Sequence, residues 1–228
     1  MSEDAAATST IDAVVFDFGG VFTPSPFTAA HAYATAQGVD PDELARIVFG
    51  AYDTDSDHPW HRLERGELAM VDALTTIAAD ADAAGMRFDA RDLFSALGDD
   101  GIDRAVVIEH VRILRERGVA TAILTNNVRE YGEIWREQLG AEELFDVIVD
   151  SCLEGMRKPD HAIYHLALER LEIDVGEAHR TVFLDDFEHN VRAARGVGMH
   201  GIVVGPDPRP ALAELDALMG HSGVAEPQ

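Results

Sequence analysis

An α/β protein is what this sequence predicts, with a parallel sheet of about five strands and an all-helical segment inserted after the first of them. Three observations predict it. From residue 102 onward helical and strand patterns alternate, which argues for parallel strands joined by crossover helices and covered on both faces. Between residues 27 and 100 only helical patterns occur. Residues 13–16 form an apolar run, β-branched at Val14 and Val15, that stops abruptly at Asp17 and two glycines.

Residues 1–10 are small and polar without periodicity, and are expected to be disordered. The first strand then spans 11–17. At the carboxyl end of a parallel strand backbone groups run out of partners, and ligands bind in the crevice that results. Asp17 at that point reads as a nucleophile or metal ligand, or as the cap of a turn. Pro24 and Pro26 break the regularity and mark a hinge. Helices are expected over 27–37 and over 41–51, the second opened by Asp40 with Pro41 at its first helical position. Two more follow at 67–83 and 89–97, and the turn at 98–101 is the return hinge.

The remainder reads as helix 102–117, strand 119–125, helix 129–139 and strand 145–150. It continues as helix 161–171, strand 180–185, helix 189–195 and strand 202–204. Polar residues end the strands at Asp17, Thr125 and Asp185. A proline-rich turn near 206, a short helix over 211–219 and a frayed tail close the chain. The expected division is a core of residues 1–24 and 103–228 around an insert of 25–102.

Composition removes several classes of function. With 42 acids against 18 Lys plus Arg, the net charge of −24 repels nucleic acid and anionic lipid alike. No apolar run approaches the ~20 residues of a membrane span. The acidic start at Met1-Ser2-Glu3-Asp4 is unlike a signal peptide, so a soluble cytoplasmic protein is expected. The single cysteine, Cys152, follows the apolar Val147, Ile148 and Val149 and reads as a buried structural thiol. Lys158 is the only lysine, against seventeen arginines among those 18 basic residues. Coding bias, or second to it a salt-adapted acidic surface, would account for an arginine-rich composition, and either way lysine persists at this one place.

Four segments carry the chemistry: Phe16-Asp17-Phe18-Gly19-Gly20-Val21, Leu124-Thr125-Asn126-Asn127, Arg157-Lys158-Pro159-Asp160 and Phe183-Leu184-Asp185-Asp186. Singly, each admits a plain reading as a turn, a surface lysine or a solvated strand end. Together, in this order and spacing, they resemble the haloacid dehalogenase-like (HAD) hydrolase superfamily across nearly the whole chain. The run Gly19-Gly20-Val21-Phe22-Thr23-Pro24-Ser25-Pro26 and the run Gly155-Met156-Arg157-Lys158-Pro159 are similar to one branch of it. That branch includes the phosphatase-like N-terminal domain of soluble epoxide hydrolases and a related domain fused to certain acyl-CoA dehydrogenases.

The resemblance implies a Rossmann-like sheet with a helical cap domain, acting as a phosphatase on a small phosphorylated metabolite. It implies that Asp17 attacks phosphorus to form an aspartyl-phosphate, which water then hydrolyses. It implies Mg²⁺ held by Asp17, the backbone carbonyl of Gly19 and Asp186, with Asp185 behind them holding a metal-bound water or Lys158. Thr125, Asn126 and Lys158 would hold the phosphate.

Elementary electrostatics points the same way. Phosphoryl transfer asks chiefly for charge neutralisation, because the group in flight spreads negative charge over three oxygens. Asp17, Asp185 and Asp186 would place about −3 in one crevice, costly without a cation. Mg²⁺, which prefers oxygen ligands, and Lys158 together bring that to roughly zero. A chain turning off a strand at Thr125 and Asn126 exposes N–H groups suited to phosphate oxygens. Asn190, one helical turn past Asp186, either supports the acidic loop or sits on a helix surface.

Gly19 departs from the pattern. Most phosphatases of the superfamily carry there a second Asp, which protonates the leaving group and later activates water. Glycine does neither, and a positioned general acid is typically worth ~10² to 10⁴ in rate. Either the substrate has a good leaving group or another residue supplies the proton. The most polar source in the insert is the stretch 53–61, where His58 or His61 would titrate near neutral pH or lie on the surface of a loop. Two other functions stay open: a metal-independent dehalogenase using the same aspartate, which the Asp185-Asp186 pair argues against, and a silent phosphate-binding module, which Gly19 favours. Substrate identity and oligomeric state are beyond these patterns.

Overall fold

The computed structural model describes residues 10–95 and 101–220. The expected disordered start, most of the return hinge and the expected frayed tail lie outside the described residues. In chain order the elements are β1 (Ala13–Phe16), then α1 (Pro26–Gln37), α2 (Pro41–Phe49), α3 (Pro59–Glu64), α4 (Met70–Ala83) and α5 (Ala90–Ser95). There follow α6 (Ala105–Glu116), β2 (Ala120–Thr125), α7 (Gly132–Leu139), α8 (Ala141–Leu144), β3 (Val147–Asp150), α9 (Ser151–Glu154) and α10 (His161–Arg170). The last are β4 (Thr181–Asp185), α11 (Glu188–Val197), β5 (His200–Val203) and α12 (Arg209–Leu218).

The five strands form one parallel sheet in the order β3-β2-β1-β4-β5. β1 takes the centre because all four of its residues are apolar, and all four are fully buried. Side chains alternate along it. Val14 and Phe16 face a layer made by Val107, Val111 and Leu114 of α6, Trp135 of α7 and Leu215 of α12. Val15 faces the opposite layer, built from Ile163 and Tyr164 of α10 and Ala194 of α11. Helices therefore cover both faces, as the alternating pattern predicts.

Residues 26–95 contain no strand, and their helices bury an apolar cluster of their own that includes Leu44, Val48, Phe49, Leu63, Ile77 and Leu93. Asp40 caps α2 as expected, its side chain accepting from the Glu43 amide at 2.9 Å. Among the described residues no helix is long and apolar enough to cross a membrane.

Three short helices depart from the sequence reading, and α3 matters most. The acids and histidines of 53–61 suggest a polar loop, but Pro59 starts a helix instead of preventing one, because its ring fits the first helical position. Trp60, His61, Leu63 and Glu64 all turn inward. His61 is thus neither on the surface nor titrating near neutrality. It is fully buried, its Nδ1 accepts from the Ser56 amide at 3.1 Å, and burial, with the nearby Arg157 charge, pushes its pKa down to about 3. Burial lowers His58 as well. β3 also ends on a polar residue, Asp150, which accepts from the Cys152 thiol at 3.1 Å. That thiol is buried as expected, and burial pushes its pKa up to about 12.

Candidate active site

Because β1 lies between β2 and β4, the polar strand ends at Asp17, Thr125 and Asp185 emerge side by side. The Asp17 amide donates to Leu184 O at 2.8 Å, which places the Asp17 carboxylate next to Asp185 at the tip of β4. Lys158 arrives from the loop before α10 and is 1% exposed. Its Nζ lies 2.7 Å from Asp17 Oδ1 and 2.6 Å from Asp185 Oδ2. The lysine backbone is clamped by one side chain: Asn126 Oδ1 accepts from Lys158 N at 2.8 Å and Asn126 Nδ2 donates to Lys158 O at 3.0 Å. The peptide between Lys158 and Pro159 is cis.

Asp185 is fully buried and saturated. Besides Lys158 it accepts from the Phe187 amide at 2.8 Å and from Asn190 Nδ2 at 3.2 and 3.1 Å, so Asn190 does support the acidic loop. Asp186 leans on Gly20. A Cβ added at Gly20 would sit 2.2 Å from Asp186 Cγ, and the backbone there has φ +75°, so this turn accepts only glycine. Thr125 is buried, and its hydroxyl makes only a 3.5 Å contact with Asn126 O, at the limit of a hydrogen bond.

Asp17, Asp185 and Asp186 each offer an oxygen, and those oxygens all lie within 4.8 Å of one another. One ammonium serves three acids. Burial by itself would strip Lys158 of its proton, but Asp17 and Asp185 raise its pKa and hold it charged. Burial pushes Asp17 well above the usual carboxylate range, against the pull of Lys158 and with the push of its two acidic neighbours. Burial and the Asp185 charge raise Asp186 to about 7. The cluster is short of positive charge, and its donors are all oxygen, which is the donor set that suits a hard divalent cation. Gly19 lines the same cavity as Asp17 and Asp186.

That cavity, of about 520 Å³, lies between the sheet edge and the helical insert. Its walls are aromatic: Phe27, Phe49, Tyr52, Trp60 and Phe94 from the insert, and Phe187 from the loop after Asp186. Phe27 and Phe187 stack at 5.1 Å across the boundary. The polar atoms of two of these rings are already used, since Glu64 Oε1 accepts from the Tyr52 hydroxyl at 2.6 Å and from Trp60 Nε1 at 2.8 Å. What those rings offer a ligand is carbon.

The structure thus gathers Asp17, Gly19, Thr125, Asn126, Lys158 and Asp186 around one cavity, with Asp185 directly behind Lys158. Sequence reasoning missed the aromatic walls and the Glu64–Arg157 pair. Aromatic residues facing a cavity have the same spacing as those facing a core. The only signal was an arginine beside the lone lysine, and it is a weak one.

A central parallel strand ending in a buried aspartate, paired with a lysine and an acid pair, defines a class of hydrolase. The chain belongs to the haloacid dehalogenase-like hydrolases, whose family model matches residues 11–198. It is 34% identical over 223 residues to acyl-CoA dehydrogenase family member 10 of Mus musculus, a match covering 93% of this chain but only 20% of that protein. It is 31% identical over 215 residues to sesquiterpene phosphatase astK of Aspergillus oryzae, covering 93% of this chain and 98% of that one. Among solved structures, it resembles an HAD family enzyme from Bacteroides thetaiotaomicron in complex with magnesium and inorganic phosphate, with a TM-score of 0.57 and 19% identity, over 86% of this chain and 95% of that one. At that identity the likeness shows the fold alone.

Proposed function

We propose that this chain is a phosphatase for monoesters of apolar alcohols, working through an aspartyl-phosphate on Asp17. The observation that carries the proposal is the pairing of an acid-and-lysine cluster with a 520 Å³ aromatic cavity directly over it. One end suits a phosphate and the other a hydrocarbon. The relative that this chain covers almost completely is named for a sesquiterpene phosphatase, which supports the same substrate class.

In this reading an Asp17 oxygen attacks phosphorus, the bond from phosphorus to the ester oxygen breaks, and the leaving alkoxide takes a proton from solvent water, Gly19 having none to give. Water then attacks the phosphoryl-aspartate, returning Asp17 and releasing inorganic phosphate. Lys158 neutralises charge on the transferring group, and Asp185 keeps it in place. The Thr125 hydroxyl is uncommitted and is offered to a phosphate oxygen. The Asn126 side chain is spent on Lys158, so phosphate would meet that residue through its backbone. Mg²⁺ would be held by Asp17, Asp186 and the Gly19 carbonyl, supplying charge neutralisation when bound. The insert, over residues 25–102, acts as the cap that selects the alcohol. A metal-free dehalogenase would gain nothing from Asp186 beside Asp185, whose mutual repulsion is a standing cost.

The test is phosphate release from dodecyl phosphate and from sugar phosphates, with and without Mg²⁺, alongside Asp17→Asn. Preference for the alkyl ester, lost on chelation and in the variant, is expected. Turnover that persists in Asp17→Asn removes the assigned nucleophile, and a preference for sugar phosphates removes the assigned substrate class.

A further inference from the structure

Among the described residues Glu64 is the one buried carboxylate that joins the insert to the sheet loops, and its bonds lead in two directions. Oε1 accepts from Tyr52 and Trp60, both cavity walls, while Oε2 accepts from Arg157 Nε at 2.7 Å. Its backbone carbonyl accepts from Ser151 Oγ at 2.7 Å. Arg157 is fully buried, its guanidinium carbon 4.6 Å over the Tyr52 ring, and it is the residue bonded to Lys158. The Tyr52 hydroxyl in turn lies 3.4 Å from Asn126 Nδ2, and Asn126 clamps the Lys158 backbone. Two routes therefore run from Glu64 to Lys158, one through Arg157 and one through Tyr52 and Asn126.

We propose that Glu64 is a positioning residue that couples occupation of the aromatic cavity by a hydrocarbon to the placement of Lys158 for phosphate. A hydrocarbon pressing on Tyr52 and Trp60 bears on the two rings whose polar atoms Glu64 holds. Any shift it imposes reaches Lys158 through Arg157, which like Glu64 is buried, and through Tyr52 and Asn126, which are half-buried. Arg157 Nη1 has only longer contacts elsewhere, at 3.6 Å to Asp55 Oδ1 and 3.5 Å to Thr54 O, so Glu64 dominates its placement. An ion pair that merely fastened insert to core would have no need to hold the polar atoms of two substrate-facing rings as well.

Coupling between two sites is reciprocal, so binding alone reads it. The inference rests on the phosphatase reading for its biological meaning but not for this measurement. In a Trp135→Phe background Trp60 is the sole tryptophan, because the chain has two. Its emission reports dodecanol binding, titrated with and without saturating inorganic phosphate. The expected result is that phosphate tightens dodecanol about 5-fold or more, as site-to-site coupling commonly does, and that Glu64→Gln brings this factor to near one. Arg157→Lys, which keeps the charge but loses the guanidinium over Tyr52, is expected to reduce the factor too and serves if the first variant does not fold. For dodecyl phosphate, both variants should lower kcat more than they raise KM. A factor near one in the unmodified pair of sites, or one that survives in either folded variant, overturns the inference. Coupling without hydrolysis of any ester would retain it and remove the phosphatase reading instead.

Discussion

Gly19 is the site residue least dictated by its surroundings. A Cβ built there meets only the Pro26 ring, at 3.6 Å, an ordinary contact, in contrast to Gly20, where the acidic loop forbids one. The glycine is therefore a chemical choice, not a steric one. Gly19→Asp should fold normally and, by supplying a proton donor beside Asp17, raise kcat for an alkyl phosphate by at least ~10-fold while moving an aryl phosphate little. Equal rates for both esters in steady-state assays would show that leaving-group protonation does not limit turnover. Asp186 gives a second prediction. With its metal-free pKa near 7, against an ordinary 3.8, it is protonated below neutrality, and a cation must displace that proton to bind. Mg²⁺ affinity by calorimetry should be roughly 5-fold weaker at pH 6 than at pH 7, gain about 2-fold more by pH 8 before levelling, and depend less on pH in Asp186→Asn. A flat profile in the parent protein would mean that Asp186 is no ligand. Without metal the sign for stability is the reverse: the folded state holds a proton that the unfolded state has lost, so stability falls as pH rises from about 4 to about 7. The polar strand ends at Asp17, Thr125 and Asp185 were legible because each terminates an apolar run. The clamp by Asn126 on Lys158 was not, because it joins loops 32 residues apart and leaves no local pattern.

At the scale of elements, helices announced themselves where a cap and a periodic face coincide. α2 is the clear case: Asp40, Pro41 and the apolar Leu44 and Val48 all agree. Asp40→Ala should remove the bond to the Glu43 amide and lower unfolding stability by ~1 kcal/mol in denaturant melts. No change would mean that Pro41 alone opens the helix. α3 hid because its apolar residues are few and its first turn follows a run of acids. Only packing against the insert's own core makes six residues helical there, with Trp60 and Leu63 as the anchors. Burying His61 within that helix has a consequence in acid. Its folded pKa of about 3 lies below the ordinary 6.5, so the unfolded chain binds the proton first. Stability from this group is complete above pH 6.5 and is lost as pH falls toward 3, at up to ~1.4 kcal/mol per pH unit. His61→Gln, which cannot ionise, should be flatter than the parent over that window. Matching slopes in urea melts would show that the ring is solvated in solution. The aromatic walls were the least legible feature of all. The sheet's strand order, which brings α1, α3 and the loop after β4 together, is what turns scattered aromatic residues into one cavity.

The molecule as a whole carries −24, while the proposed substrate is a dianion. Lys158 is buried within the acid cluster and spends its charge there, so it does little to change the field that an approaching ester meets. At ~10 mM salt that field reaches about 30 Å, and at ~150 mM about 8 Å. Long-range repulsion should therefore slow encounter at low salt and fade as salt is added, the opposite of the steering seen when charges are complementary. With free Mg²⁺ held constant, kcat/KM for hexyl phosphate should rise by roughly threefold or more between those salt levels, carried by KM. A neutral ligand of the cavity such as hexanol controls for a second effect in the same direction, since salt also drives hydrocarbon out of water. Dividing one response by the other isolates the charge. If kcat/KM falls with salt after that correction, the metal and the loop amides create a local positive field that outweighs the acidic surface. The −24 would then shape solubility and partner exclusion but not catalysis.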